Sequence, residues 1–272
     1  MLKGTDNLRY FDSHAHFGDN AFGQLERAYL AGVTRVMAVG GNPELNDGAY
    51  RATANVPNGV TLGTALGLDR SCCDMAEEDV ASFEGSFADM RKGFPIMALG
   101  EIGLDYHYAP ESGRQQCALF ERMLALAAHE ALPVIIHTRE ADDDTLALLG
   151  AHVASGAGGL ASEGRTGVIH CFTGTKKMAH KFLDLGFFVS FSGIVTFRNA
   201  DELRETAKTI PDDRLMVETD SPFLTPVPLR GQPNEPAFVV NTATCLARER
   251  GTDISHVAAI TTANACRLFG MC

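Results

Sequence analysis

No C-x-x-C pair occurs in this 272-residue chain, although cysteine appears at Cys72, Cys73, Cys117, Cys171, Cys245, Cys266 and Cys272. The adjacent Cys72 and Cys73 lack the spacing of a zinc ribbon, and the odd total does not suit a disulfide framework. Free, mostly structural thiols in a reducing compartment are therefore expected. No apolar run is long enough for a membrane-spanning helix. The N-terminal stretch Met1-Leu2-Lys3-Gly4-Thr5-Asp6-Asn7-Leu8-Arg9 has no apolar core of a secretory signal, so a cytoplasmic location is the expectation, with no membrane and no obligate protein partner. Positive charge is in deficit: 23 Lys and Arg against 34 Asp and Glu give a formal net charge of −11. That balance disfavours broad adhesion to nucleic acid or anionic lipid. It leaves room for a phosphate-bearing substrate, because bound divalent ions reverse the local field inside an acidic protein.

What is present is an ordinary globular composition, 45% hydrophobic and 21% charged, over a length that suits one α/β barrel. Short apolar, strand-like runs alternate with longer helical patterns. The first run ends in Tyr10-Phe11-Asp12-Ser13-His14. Val33–Val39, Val60–Leu66, Pro95–Gly100, Pro133–Ile136, Gly167–Ile169, Phe187–Phe191 and Arg214–Val217 follow. Helical patterns lie between them, and two more, near Ala237–Arg250 and Ile254–Phe269, close the chain. Glycine and proline mark many joints, as at Gly32, Gly59, Pro133, Gly167 and Gly186. The rhythm predicts an α/β fold, a single (β/α)8 TIM barrel over residues 1–272 with a metal site at its C-terminal mouth. A doubly wound open sheet is the structural alternative. Ser155–Gly167, rich in Gly, Ala and Ser, reads as a surface loop.

The chemistry-bearing residues fall at the carboxyl ends of the predicted strands. His14 and His16 form a His-x-His pair, and residues two apart on a strand face the same side, so both imidazoles reach one ion. Glu101 follows Ile96-Met97-Ala98-Leu99-Gly100; a solitary buried carboxylate is costly and needs a cation or a metal beside it. His137 ends Pro133-Val134-Ile135-Ile136, His170 ends Gly167-Val168-Ile169, and Asp220 ends Leu215-Met216-Val217-Glu218-Thr219. A His-x-His pair alone, or one strand-end acid, is as readily ordinary polar structure. The joint pattern says more, since a barrel gathers those strand ends around one mouth. His129, His152, His180 and His256 sit in helical patterns and read as surface or packing residues, and His107 as a loop residue near Glu101. Asp142-Asp143-Asp144 and Glu77-Glu78-Asp79 read as the first turns of helices, where acid favours the positive dipole end.

FDSHAHF at 11–17, ALGEIGLDY at 98–106, PVIIHTREA at 133–141 and GVIHCFTGT at 167–175 resemble the TatD family of metal-dependent deoxyribonucleases, among the amidohydrolase-like barrels. So do GFFVSFSGIVTF at 186–197, VETDSPFLTPVPLRGQPNEP at 217–236 and TTANACRLFG at 261–270. The resemblance runs over nearly the whole chain, in the family's order. It implies two divalent ions, the first held by His14, His16, Glu101 and Asp220. Glu101 would bridge to the second, completed by His137 and His170. A mixed imidazole and carboxylate shell suits zinc or manganese, and magnesium where water fills gaps. Ala15 stands where the family often has cysteine. Gly67-Leu68-Asp69-Arg70-Ser71 replaces a Gly-Ile-His-Pro type motif, so a histidine thought to face substrate is missing, with Asp69 or Arg70 in its place.

The reaction implied is phosphodiester hydrolysis at a single-stranded DNA end, trimmed from its 3′ side. Asp220 and Glu101 are the candidate catalytic residues, with Asp220 accepting or shuttling a proton. Arg139, Asp69 and Arg70 are the candidate substrate contacts, Arg139 through a bidentate pair with phosphate. Tyr106, Phe172 and Phe223 are candidates for stacking on bases. Lys176, Lys177, Arg198 and Arg230 are weaker candidates for backbone contacts. An ester or amide hydrolase, such as an aminoacyl-tRNA deacylase or a small-molecule amidohydrolase, is the alternative, since the same centre attacks a carbonyl. A non-catalytic binding barrel is disfavoured by the complete ligand set.

Overall fold

The computed structural model describes residues 8–272 of the chain; Met1 to Asn7 of the N-terminal stretch lie outside them. Eight parallel strands run in sequence order around one sheet: β1 (Tyr10–Ala15), β2 (Val33–Gly41), β3 (Thr61–Leu68), β4 (Ile96–Asp105), β5 (Val134–Arg139), β6 (Gly167–Ile169), β7 (Phe188–Phe191) and β8 (Leu215–Val217). Just beyond the strands, Ala15 bridges to Ser221 in parallel, and the His16 N–H donates to the Ser221 carbonyl at 2.8 Å, so the sheet nearly closes into the barrel. An open doubly wound sheet is ruled out by that order. Among the described residues, no helix is long and apolar enough to cross a membrane.

The connecting helices are α1 (Ala21–Leu30), α2 (Pro43–Ala52), α3 (Glu77–Gly93), α4 (Gly113–Glu130), α5 (Asp142–Ala154), α6 (Leu160–Glu163), α7 (Lys176–Asp184), α8 (Asp201–Ala207), α9 (Val239–Arg250) and α10 (Ile254–Phe269). Local signals set several starts. Asn42 caps α2 by accepting from the Leu45 N–H, with Pro43 in the first helical turn, and Thr175 caps α7 by accepting from the Met178 N–H. The segment Ser155–Gly167 is more than a surface loop: it holds a 3-10 turn at Ala157–Gly159 and the short α6, and Ala157 and Leu160 are buried. Those two apolar side chains tie it to the core, which its small-residue composition hides.

Strand alternation splits the core in two. Val36, Ala38, Leu66, Leu99, Val134, Ile136, Ile169, Val189, Leu215 and Val217 face outward under the helices. Phe11, Met37, Val39, Ala65, Ala98, Ile135, Val168, Phe188 and Met216 fill the barrel interior, and α10 adds Leu268 and Phe269 as a floor. Phe11 and Phe269 meet there with ring centroids 5.9 Å apart. Burying bulky side chains in this layer makes the barrel a packed core with its open end at the strand C-termini.

Candidate metal centre

Above that apolar layer the same inward positions become polar. On β5, Ile135 points in, so His137 and Arg139 do as well; on β6, Val168 leads to His170; after β8, Met216 leads to Glu218 and Asp220. Two strands reach the same end through irregularities. The β1–β2 register shifts between Asp12 and Ala15, and the β4–β5 register shifts between Leu99 and Ile102. Phe11 and Ala98 therefore point inward together with His14, His16 and Glu101, while Ala15, Ile102 and Leu104 pack outward. Backbone clearance helps: a Cβ on Gly103, at φ 137°, would meet the His137 carbonyl oxygen at 2.0 Å, so only glycine fits there.

The six strand-end candidates come together around Glu101. Its Oε2 lies 3.5 Å from His14 Nε2 and 3.7 Å from His16 Nε2, and its Oε1 lies 3.1 Å from His137 Nδ1 and 3.4 Å from His170 Nε2. Asp220 Oδ1 faces the first pair, 3.6 Å from His16 Nε2 and 3.9 Å from His14 Nε2. Donor atoms of His14, His16 and Asp220 all fall within 4.8 Å of one another, as do those of Glu101, His137 and His170. Asp220 has φ 57°, in the left-handed region that Asp tolerates better than most residues. Its N–H donates to the His14 carbonyl at 2.9 Å, while the Thr219 N–H and hydroxyl donate to Asp12 at 2.8 and 2.6 Å.

The far ring nitrogens show how the imidazoles are aimed. His16 Nδ1 donates to the Val39 carbonyl at 2.9 Å. His137 Nε2 pairs with Asp105 Oδ2 at 3.0 Å, and His170 Nδ1 with Glu218 Oε1 at 3.2 Å. Each of these three rings thus turns its remaining nitrogen toward Glu101, the arrangement in which an outer hydrogen bond fixes a metal-binding tautomer. Among the described residues His14 Nδ1 has no partner, and neither has Glu218 Oε2. His14 also stacks on His170, with centroids 4.0 Å apart.

Burial and these pairs set the charges. Burial, aided by the charge of His170, pushes His14 down to about 3, so it is a neutral donor. Burial works against protonated His170 too, but the carboxylates of Glu101 and Glu218 outweigh it and raise it well above the usual range. Likewise burial is overcome at His137 by Asp105 and Glu101, and at His16 by Asp220 and Glu101, and both rise. Burial would raise Glu101, yet His170, His137 and His14 hold it well below the ordinary carboxylate range. The donor set fits divalent metal: imidazole and carboxylate atoms converge, the outer nitrogens are tied back, and the central carboxylate is ionised.

Asp69 is buried beside Glu101: a Cβ on Gly41, at φ 143°, would lie 3.3 Å from Asp69 Oδ2 and 3.4 Å from Glu101 Cβ. Burial and then the charge of Glu101 raise its carboxyl, while its Oδ1 accepts from the Ser71 N–H. Arg70 Nε donates to Asp105 Oδ2 at 3.1 Å, and Arg139 lies on the inner face two residues past His137. Phe223 is 57% exposed and meets His16 edge-on, so it is accessible to a base. Phe172 is buried against Phe191 and is not. The Tyr106 hydroxyl donates to Asp144 at 2.6 Å, which ties that ring to the start of α5. Lys176, Lys177, Arg198 and Arg230 are exposed, and His107 pairs with Glu140 at 2.7 Å.

Asp105, Glu218 and Asp12 are the polar residues that reading the strand ends passed over. Glu218 Oε1 also accepts from the Cys171 N–H at 2.7 Å, and a Glu218 oxygen groups with His14 and His170 within 4.8 Å. A period of two would have found the first two of these: Asp105 lies four residues after Glu101, and Glu218 two before Asp220.

A family model described as TatD related DNase matches residues 11–270. The uncharacterized metal-dependent hydrolase YcfH of Escherichia coli (strain K12) is 48% identical over 174 residues, 64% of this chain, and the match spans 63% of that relative's own length, less than two thirds. The 3′-5′ ssDNA/RNA exonuclease TatD of Klebsiella pneumoniae (strain 342) is 38% identical over 181 residues, 65% of this chain and 66% of that relative. Among solved structures, YJJV, a TatD homolog from Escherichia coli k12, superposes with a TM-score of 0.85 at 27% identity, covering 97% of this chain and 99% of that one.

Proposed function

The chain belongs to the family of TatD-related DNases, alongside relatives named as metal-dependent hydrolases, and on that premise we propose that it hydrolyses phosphodiester bonds, removing nucleotides from the 3′ end of single-stranded DNA. One barrel domain spanning residues 1–272 carries the reaction. His14, His16, Glu101 and Asp220 would hold one divalent ion, and Glu101, His137 and His170 a second; zinc, manganese or magnesium would suit them. The observation that carries this reading is the Glu101 carboxylate, with Oε2 turned to one imidazole pair and Oε1 to the other.

The ions supply Lewis acidity, which makes water nucleophilic near neutral pH and offsets charge building on the phosphoryl oxygens. Asp220 directs Oδ1 at His14 and His16, at 3.9 and 3.6 Å. Its carboxylate, 13% exposed at the mouth, takes the proton of the attacking water. Glu101 acts through position and charge, keeping both imidazole pairs in register. Arg139 and Arg70, which share the Tyr108 ring, and Asp69, beside Glu101, contact the substrate.

The test is a metal-reconstituted panel: 5′-labelled single-stranded DNA, aminoacyl-tRNA and simple carboxylic esters, each with zinc, manganese or magnesium added. Shortening of the DNA from its 3′ end is expected, and Asp220→Asn should reduce it about 10²- to 10⁴-fold, the range for loss of a positioned base. Brisk ester or amide cleavage with no metal-dependent nuclease activity would overturn the reading.

A further inference from the structure

Two guanidinium groups beside the centre have unused binding capacity. Arg70 engages Asp105 through Nε alone, at 3.1 Å, and its terminal amino groups meet no protein acceptor among the described residues. Arg139 is half-buried, yet among the described residues it makes no ion pair and no side-chain hydrogen bond. Both lie against one ring: the Cζ atoms of Arg70 and Arg139 are 5.6 and 4.9 Å from the centroid of Tyr108, which is 68% exposed.

The strands fix this group next to the metal ligands. Asp105 ends β4 and Arg139 ends β5, and the two are partners in register. Asp105 Oδ2, which holds Arg70, also holds His137 Nε2 at 3.0 Å. Two cations this close repel each other, and the Tyr108 ring offsets part of that by attracting both. An unpaired, partly buried cation is costly until an anion joins it. Guanidinium donors match phosphate oxygens in pairs, a geometry that neither lysine nor a bare ion reproduces.

We propose that Arg70, Arg139 and Tyr108 form an anion subsite for a second phosphate of the substrate, the one neighbouring the phosphodiester at the metal centre. The subsite rests on the phosphodiester reading above and deepens it. The substrate is then a nucleotide chain with at least two phosphates, in preference to an isolated phosphodiester, ester or amide. Asp105 links the subsite to the centre, since one of its oxygens binds both Arg70 and His137.

Calorimetric titration with thymidine 3′,5′-bisphosphate and with each thymidine monophosphate tests this without turnover, because none of these ligands contains a phosphodiester. The bisphosphate should bind at least about tenfold more tightly than either monophosphate, and Arg139→Ala should cut that ratio to about threefold or less. Arg139→Lys should keep part of the preference, since a point charge remains. Equal affinities in the unmodified protein, or a preference that survives Arg139→Ala, would overturn the subsite. A bisphosphate preference in a protein that cleaves no phosphodiester supports the subsite and overturns the proposed reaction instead.

Discussion

The two imidazole pairs flanking Glu101 are held in different ways. His14 near the end of β1 and His16 just beyond it have no outer carboxylate: His16 donates to the Val39 carbonyl, and among the described residues His14 Nδ1 has no partner. His137 and His170 come from neighbouring strands, and each is tied to a carboxylate, Asp105 or Glu218. A carboxylate on the far nitrogen fixes the ring and raises its basicity more than a carbonyl does. In the metal-free protein Glu101 and Glu218 make His170 a proton holder, and His137 and His16 are raised as well, while burial leaves His14 neutral at any ordinary pH. The two halves are therefore expected to differ in metal affinity and in how that affinity follows pH.

Glu101→Gln should produce the largest effect, because it removes charge from both halves at once. kcat/KM on single-stranded DNA should fall roughly 10³-fold or more, since several kcal/mol of charge stabilisation go with the ions. Elemental analysis should show both ions weakened together. Loss confined to one half would mean that Glu101 does not bridge.

Asp105→Asn separates the halves. It leaves His14, His16 and Asp220 untouched and removes the carboxylate behind His137. Competition with a chelator should show one site weakened by about 10- to 100-fold, the usual cost of losing such an outer partner, and the other unchanged. Equal weakening at both sites would erase the distinction.

A smaller effect follows from pH. His137 and His170 are raised in the folded, metal-free protein. Their protonated forms stabilise the fold fully below the unfolded value of about 6.5, and that contribution is lost as pH rises through the higher folded values. Metal needs the same nitrogens unprotonated, so its affinity rises over this window. The gain in Tm on adding metal should therefore widen as pH rises above the unfolded value of about 6.5. Scanning calorimetry with and without metal reads it directly, and a gain that narrows with pH would contradict the assignment of these two rings.

Much of this was legible in the chain itself. Alternating apolar runs and helical patterns led to the barrel, and the strand-end positions of His14, His16, Glu101, His137, His170 and Asp220 led to the mouth. The structure brings those six side chains together. What the sequence concealed was register. The β4 irregularity between Leu99 and Ile102 brings Glu101 onto the inner face that Ala98 occupies, and the strand runs on to Asp105, beyond the predicted end at Gly100. No residue type announces such a shift, whereas Asp105 follows from Glu101 by the period of two once the strand is known to continue. Phe172 is a plausible stacking ring by position, but its burial depends on Phe191, a contact from the loop after β6 to β7 that local pattern does not reveal.

Ala15 offers the narrowest test of the same geometry. It lies between the two histidines of the less basic half, where the family often has cysteine, and a thiol so close to a metal centre would ordinarily be suspected as a ligand. Here Ala15 is fully buried and belongs to the outward-facing core, while His14 and His16 face in. A sulfur added to Ala15 would point toward the helices, away from Glu101 and Asp220. Ala15→Cys should therefore leave the metal content and kcat/KM within about twofold, and its cost should appear in stability instead, as about 1–3 kcal/mol if the tight packing does not yield. A gain in metal affinity would place the side chain at position 15 on the inner face and refute the β1 register on which both halves depend.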